Sequence, residues 1–196
     1  NRITSNFRNT RDGVVFFISM EFNLIISTFR HREQEACNEI LNILEDAGDS
    51  EAEAEVTDIT GIVLVLTRID PFQVVQIFRK LAINEPWEIR YILRVLPIES
   101  VGPTQLKYIA TGSKKLALKM EKHETFRITV EKRHASLSSS DIIKAVAVNI
   151  DNVVNLKVPD WIILVEIVGR LTGISVLRAN QIFSSVVEKR QNLLHD

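Results

Sequence analysis

The run Trp161-Ile-Ile-Leu-Val-Glu-Ile-Val168 constrains the fold more than any other stretch. It is apolar on both faces rather than alternating, the pattern of a central strand covered twice. It is too short to cross a bilayer and carries Glu166, so a membrane span is not expected. A strand of this kind needs cover on both of its faces. Ile62-Val-Leu-Val-Leu66 is a second, shorter run of the same character. With 45% apolar and 25% charged residues there is ample material for a core, and disorder is excluded as the main state.

From Met20 to Leu96 the pattern reads strand, helix, strand, strand, helix, strand. Phe22–Thr28 is a β-rich run, and Arg32–Ala47 places Ala36, Ile40, Ile43, Leu44 and Ala47 at helical spacing before Gly48, a C-terminal cap. Glu53–Asp58 and Gly61–Thr67 form a hairpin. Asp70-Pro71 opens a helix with an acid cap and Pro at the first helical position, and Val74, Val75, Ile77, Phe78 and Leu81 are its buried stripe. Ile89–Leu96 closes the unit. Two βαβ crossovers in this order predict a ferredoxin-like sandwich over 20–96. Residues 1–19 are polar and unpatterned; Met20 is expected as the biological start and 1–19 as an upstream extension.

Pro97 and Gly102-Pro103 mark a boundary, and 97–196 reads as a second α/β unit. Its predicted elements are a helix over Thr104–Met120, a strand over Thr125–Glu131, a helix over Ser138–Ile150, strands over Trp161–Val168 and Ile174–Leu177, and a helix over Ala179–Arg190. Gly112 interrupts the first helix at a cost of about 1 kcal/mol relative to Ala. Phe126, Ile128 and Val130 alternate with Arg127, Thr129 and Glu131. Ser138-x-x-Asp141 is a capping box. The fold class is therefore α+β, two α/β units in series.

Charge separates the halves. Residues 1–96 carry 10 Lys/Arg against 15 Asp/Glu, and residues 97–196 carry 14 against 10. Within 107–144 nine bases face four acids. That asymmetry fits a polyanion site in the second half or an ordinary solvated helical face. Catalytic signatures are missing: there is no glycine-rich nucleotide loop, no Gly-x-Ser-x-Gly, and no ligand spacing among His31, His123, His134 and His195. The single Cys37, placed beside Ala36 and Ile40, reads as packed core and excludes a disulfide framework or a multi-thiolate zinc site. No cofactor or metal is called for, and the expected setting is the cytoplasm.

The informative segment runs from Thr125 to Val146. A strand leads into a basic loop (Lys132, Arg133, His134) and then a hydroxyl-rich helix start (Ser136, Ser138, Ser139, Ser140). Free backbone N–H groups and the positive end of the helix dipole can receive a phosphate there, and Lys132 and Arg133 would displace counterions from a nucleic-acid backbone. The same residues also suit a capped turn beside a solvated basic pair, and spacing does not choose between the two.

Phe126-Arg-Ile-Thr-Val-Glu-Lys-Arg133, together with Val168-Gly-Arg-Leu-Thr-Gly-Ile-Ser-Val176, resembles a THUMP domain, an RNA-binding module of tRNA-modifying proteins. The element order after Pro103 is similar, and a ferredoxin-like unit directly before it is the usual companion, so the resemblance covers roughly 20–196. It implies binding near the acceptor end of tRNA. Because the sequence given ends at Asp196, it resembles the stand-alone THUMP proteins, which implies a tRNA-binding adaptor rather than an enzyme. The implied partners are tRNA and a separate modifying enzyme, most readily a tRNA cytidine acetyltransferase making N4-acetylcytidine, with no membrane or DNA. A methyltransferase or thiolation partner, or a protein-interaction module without RNA, are the alternatives. The expected RNA contacts are Lys114, Lys115, Arg127, Lys132, Arg133 and Lys144, phosphate contacts at Ser138 and Ser139, and an extension through Arg170 and Arg178.

Overall fold

The computed structural model describes residues 21–192, so the expectation for 1–19 lies outside the described residues. The first sheet is built from β1 (Leu24–Thr28), β2 (Glu53–Val56), β3 (Ile62–Leu66) and β4 (Ile92–Pro97), with helices α1 (Glu33–Asp46) and α2 (Pro71–Asn84) on one face. Its order is β2-β3-β1-β4, and every pair is antiparallel. Each βαβ crossover leaves a gap that a strand of the other crossover fills, which is the ferredoxin-like arrangement.

Local chemistry sets the element ends. Asp70 accepts from the N–H groups of Phe72 (2.9 Å) and Gln73 (3.0 Å), so α2 starts where the Asp-Pro pair predicts. Gly48, with φ +102°, ends α1 in a conformation that costs a side chain 1–2 kcal/mol or so. Asp49 then accepts from Thr67 Oγ1 (2.5 Å) and the Arg68 N–H (2.7 Å), tying that turn to the end of β3.

The second sheet has the order β5-β8-β7-β6, from β5 (Ser100–Pro103), β6 (Phe126–Arg133), β7 (Trp161–Val168) and β8 (Leu171–Leu177). β6 and β7 are parallel and the other pairs antiparallel. Helices α3 (Leu106–Ala117) and α4 (Ser139–Ala147) cover one face. Alternation divides β7 between two cores: Ile163, Val165 and Ile167 pack with Ile109, Ile142 and Val146 of the helices, whereas Ile162, Leu164 and Val168 meet Ile25, Ile62, Leu64 and Leu96 of the first sheet. The molecule is therefore four layers, helices, sheet, sheet, helices, and the doubly apolar run at Trp161–Val168 lies where its pattern requires.

The chain passes from the first sheet to the second at Ile98, which is buried in the inter-sheet core, between Pro97 at the end of β4 and Gly102-Pro103 at the end of β5. Gly102 is required there, because a Cβ would lie 2.3 Å from the Tyr108 ring that packs against it. Residues 179–190 are not one helix. A 3₁₀ turn at Ala179–Gln181 leads to β9 (Phe183–Ser184), which pairs with β4, and then to α5 (Ser185–Asn192). Burying Phe183 in the core beneath α1 and α2 outweighs the helical spacing of its neighbours. Finally, the Ser138–Asp141 capping box does not form. The Ser138 carbonyl accepts the first helical bond from Ile142, but its exposed hydroxyl caps no N–H.

Candidate nucleic-acid interface

Because α4 crosses from β6 to the parallel β7, it begins at the C-terminal end of both strands. α3 begins at the same end: the Thr104 N–H donates to Arg170 O (2.9 Å) and Thr104 Oγ1 to Gly169 O (3.2 Å), fixing its start to the β7–β8 turn. Gly169 N–H donates to Arg133 O (3.0 Å), which brings the end of β6 against the same turn. Two helix N-termini thus converge on one rim. Neither has a side-chain cap, so among the described residues their first N–H groups have no intrahelical or side-chain acceptor. Both dipoles present their positive ends, the arrangement that receives an anion.

The cations on this rim are Lys132, whose Nζ also donates to Leu137 O (2.9 Å) and so shapes the loop, and Arg170. Ser138 lies on the exposed loop and Ser139 in the first turn of α4. His134, exposed and with φ +54°, turns the chain between them. Lys107, in the first turn of α3, is exposed beside them and was not among the residues expected from sequence. Its signal was present in the basic count over 107–144.

Of the other expected contacts, Arg133 reaches this rim from the end of β6 with its side chain turned inward, and the rest lie elsewhere. Lys114, Lys115 and Lys144 are exposed near the last turns of α3 and α4, on the outer helical layer, where they complement the negative dipole ends. Arg127 and Arg133 lie on the face of β6 that looks into the inter-sheet layer, since they pair in register with Ile162 and Val168 of that face. Arg133 is held there by Glu166 (2.8 Å) and Glu131 (3.1 Å), and Arg127 has its Nε buried. Arg178 is at the opposite end of the sheet: its guanidinium lies 4.2 Å over the Trp161 ring and bonds Glu124 at 2.6 Å. Glu124 also accepts from Trp161 Nε1 (2.7 Å), and backbone, indole and guanidinium donors together hold its carboxyl below the usual range. Trp161 is partly buried and packs against the helix-covered core, with this cation over its ring.

Sequence reading also missed Glu166. It is fully buried, and burial pushes its carboxyl up to about 7 despite Arg133. A lone acid inside an apolar central strand was the available signal. Burial likewise raises the Cys37 thiol, to about 11, which makes it a packing residue rather than a nucleophile. Among the described residues no three His, Cys, Asp or Glu side chains gather to hold a metal ion, and no helix is long and apolar enough to cross a membrane.

The family model of the THUMP domain matches residues 105–177, from the residue before α3 to the end of β8. Among solved structures the chain is similar to PH1313 from Pyrococcus horikoshii Ot3, at 17% identity and TM-score 0.63, over 81% of this chain and 55% of that one. It is similar to TrmN from Thermus thermophilus at 16% identity and TM-score 0.53, over 78% and 44%. A possible methylase from Clostridium difficile 630 aligns at 18% identity and TM-score 0.50, over 79% and 40%. The chain spans about half the length of these proteins or less, and what it shares with them is the fold across both of its sheets. No curated protein sequence matches it.

Proposed function

We propose that this protein binds tRNA near its acceptor end and presents it to a separate modification enzyme, with N4-acetylcytidine formation as the reaction served. The observation that carries this reading is the convergence of two uncapped helix N-termini with Lys107, Lys132 and Arg170 on one rim of the segment that matches the THUMP domain. The acceptor end offers a single-stranded backbone whose phosphates suit such a rim, and shape rather than base edges would be read. Lys114, Lys115 and Lys144 extend the positive surface along the helices, and Ser138 and Ser139 supply hydroxyl donors. The acidic first half acts as a spacer or as the face toward the enzyme. The similarity to a possible methylase supports a second reading, in which the enzyme served is a methyltransferase.

Fluorescence anisotropy with intact tRNA and with tRNA trimmed of its single-stranded 3′ end, at two salt concentrations, tests this. Tighter binding to intact tRNA supports acceptor-end recognition, equal binding reduces it to a generic basic surface, and no binding overturns it. Co-purification with an acetyltransferase or with a methyltransferase separates the two enzyme readings.

A further inference from the structure

The inward face of β6 ends in a four-residue ionic clasp between the sheets. Arg133 Nη1 donates to Glu166 Oε2 (2.8 Å) and its Nη2 to Glu131 Oε2 (3.1 Å), while Arg94 of β4 reaches Glu131 Oε1 (3.1 Å). Glu166 is 0% exposed, and its Oε1 has no hydrogen-bond partner among the described residues. The charged groups that face it are Arg133 and Glu131 from β6 and Arg94 from β4. Burial raises its carboxyl most, Arg133 lowers it, Glu131 raises it and Arg94 lowers it, leaving it at about 7. Arg133 differs from its partner in being reachable. Its side chain is 24% exposed, and it is the last residue of β6, between Lys132 and His134 on the rim where the helix N-termini converge.

We propose that Arg133 exchanges partners when RNA binds: a backbone phosphate replaces the Glu166 carboxylate on its guanidinium, and Glu166 takes up a proton from solvent. This rests on the RNA-binding reading above. At rest the clasp is neutral when both carboxylates are ionised. A phosphate that captures Arg133 would leave an ionised Glu166 buried without a counter-charge, a state that desolvation strongly disfavours. Protonation removes that cost and balances the charges: phosphate on Arg133, Glu131 on Arg94, and a neutral Glu166. The guanidinium suits the exchange because its planar fork accepts carboxylate and phosphate alike. The proton comes from solvent above about pH 7 and is already in place well below it, so affinity falls as pH rises.

The experiment is tRNA titration of the whole chain from about pH 6.5 to about pH 8.5, for the wild type and for Glu166→Gln, a permanently neutral isostere. The expected result is a several-fold loss of wild-type affinity across that range, approaching tenfold per pH unit at the steepest, with most of the loss absent in Glu166→Gln. The difference between the two proteins isolates the carboxyl. Wild-type pH dependence retained in Glu166→Gln overturns the exchange, as does pH-independent binding by the wild type. Should Glu166→Gln fail to fold, Arg133→Ala takes its place: its tRNA affinity should be equally insensitive to pH, and a retained dependence overturns the exchange. Absence of tRNA binding at every pH overturns the RNA reading and the exchange together, which distinguishes the two failures.

Discussion

The ring of Phe183 lies 5.2 Å, centroid to centroid, from that of Phe78 on α2, and both are fully buried. This pair joins the end of the chain to the core of the first sheet. Arg79 on the next position of α2 reinforces it, donating to Ile182 O (3.1 Å) and Glu188 (3.1 Å). The segment that follows the THUMP match therefore completes the ferredoxin-like unit rather than extending the second one.

Phe183→Ala should accordingly destabilise the protein by about 3–5 kcal/mol, the usual range for a fully buried aromatic. Urea unfolding checks it. A loss below about 1 kcal/mol would show that β9 and α5 are an appendage.

Glu166 makes stability depend on pH. Its folded carboxyl, at about 7, is well above the value of 4.5 that an unperturbed Glu takes, so the native state holds a proton that the unfolded chain releases. The stabilisation is complete below the unfolded value and is lost as pH rises through about 7, a change of up to about 3 kcal/mol. Thermal unfolding at pH 5.5 and 8 should show the wild type less stable at the higher pH, and Glu166→Gln should flatten that trend. A wild type more stable at pH 8 would refute the sign.

Two glycines separate by what surrounds them. A Cβ on Gly102 would lie 2.3–2.8 Å from the Tyr108 ring, whose hydroxyl bonds Ser100 Oγ at 2.8 Å. Gly102→Ala must displace that ring and should cost about 1–3 kcal/mol. A Cβ on Gly112 would meet only the end of the Ile174 side chain, at 2.9 Å, which can turn away. Gly112→Ala also gains about 1 kcal/mol of helix propensity, so the two effects should nearly cancel. Denaturation midpoints of the two variants that fail to separate in this order would show the packing argument to be mistaken.

Much of this architecture was legible in the residues themselves. The doubly apolar β7, the Asp70-Pro71 helix start and the crossover order of the first half all follow from local patterns, because burial on a fixed period leaves a readable trace. The setting of the polar face of β6 is not legible in the sequence, for a physical reason. Alternation places Arg127, Thr129, Glu131 and Arg133 together, but only tertiary packing decides whether that face meets solvent or the rim of a second sheet. Arg178 is a like case: a cation near a strand end reads the same from sequence whether it faces solvent or stacks on Trp161. The return of Phe183 to the first sheet is a long-range pairing with no local signature at all.

Placement divides the basic residues into those whose loss should change how tRNA binding responds to salt and those whose loss should not. Lys132, exposed on the rim, should behave as a phosphate contact. Lys132→Ala should weaken binding at low salt and reduce the slope of log K against log salt by about one. Arg178 is committed to Glu124 and Trp161 at the far end of the sheet. Arg178→Ala should therefore leave the slope within error while lowering stability, since it strips a cation from an indole and a carboxylate at once. Anisotropy titrations at four salt concentrations, with thermal unfolding of the same samples, distinguish the two. An equal slope change for both variants would mean that RNA contacts reach both ends of the sheet, and the assignment of the rim would fail.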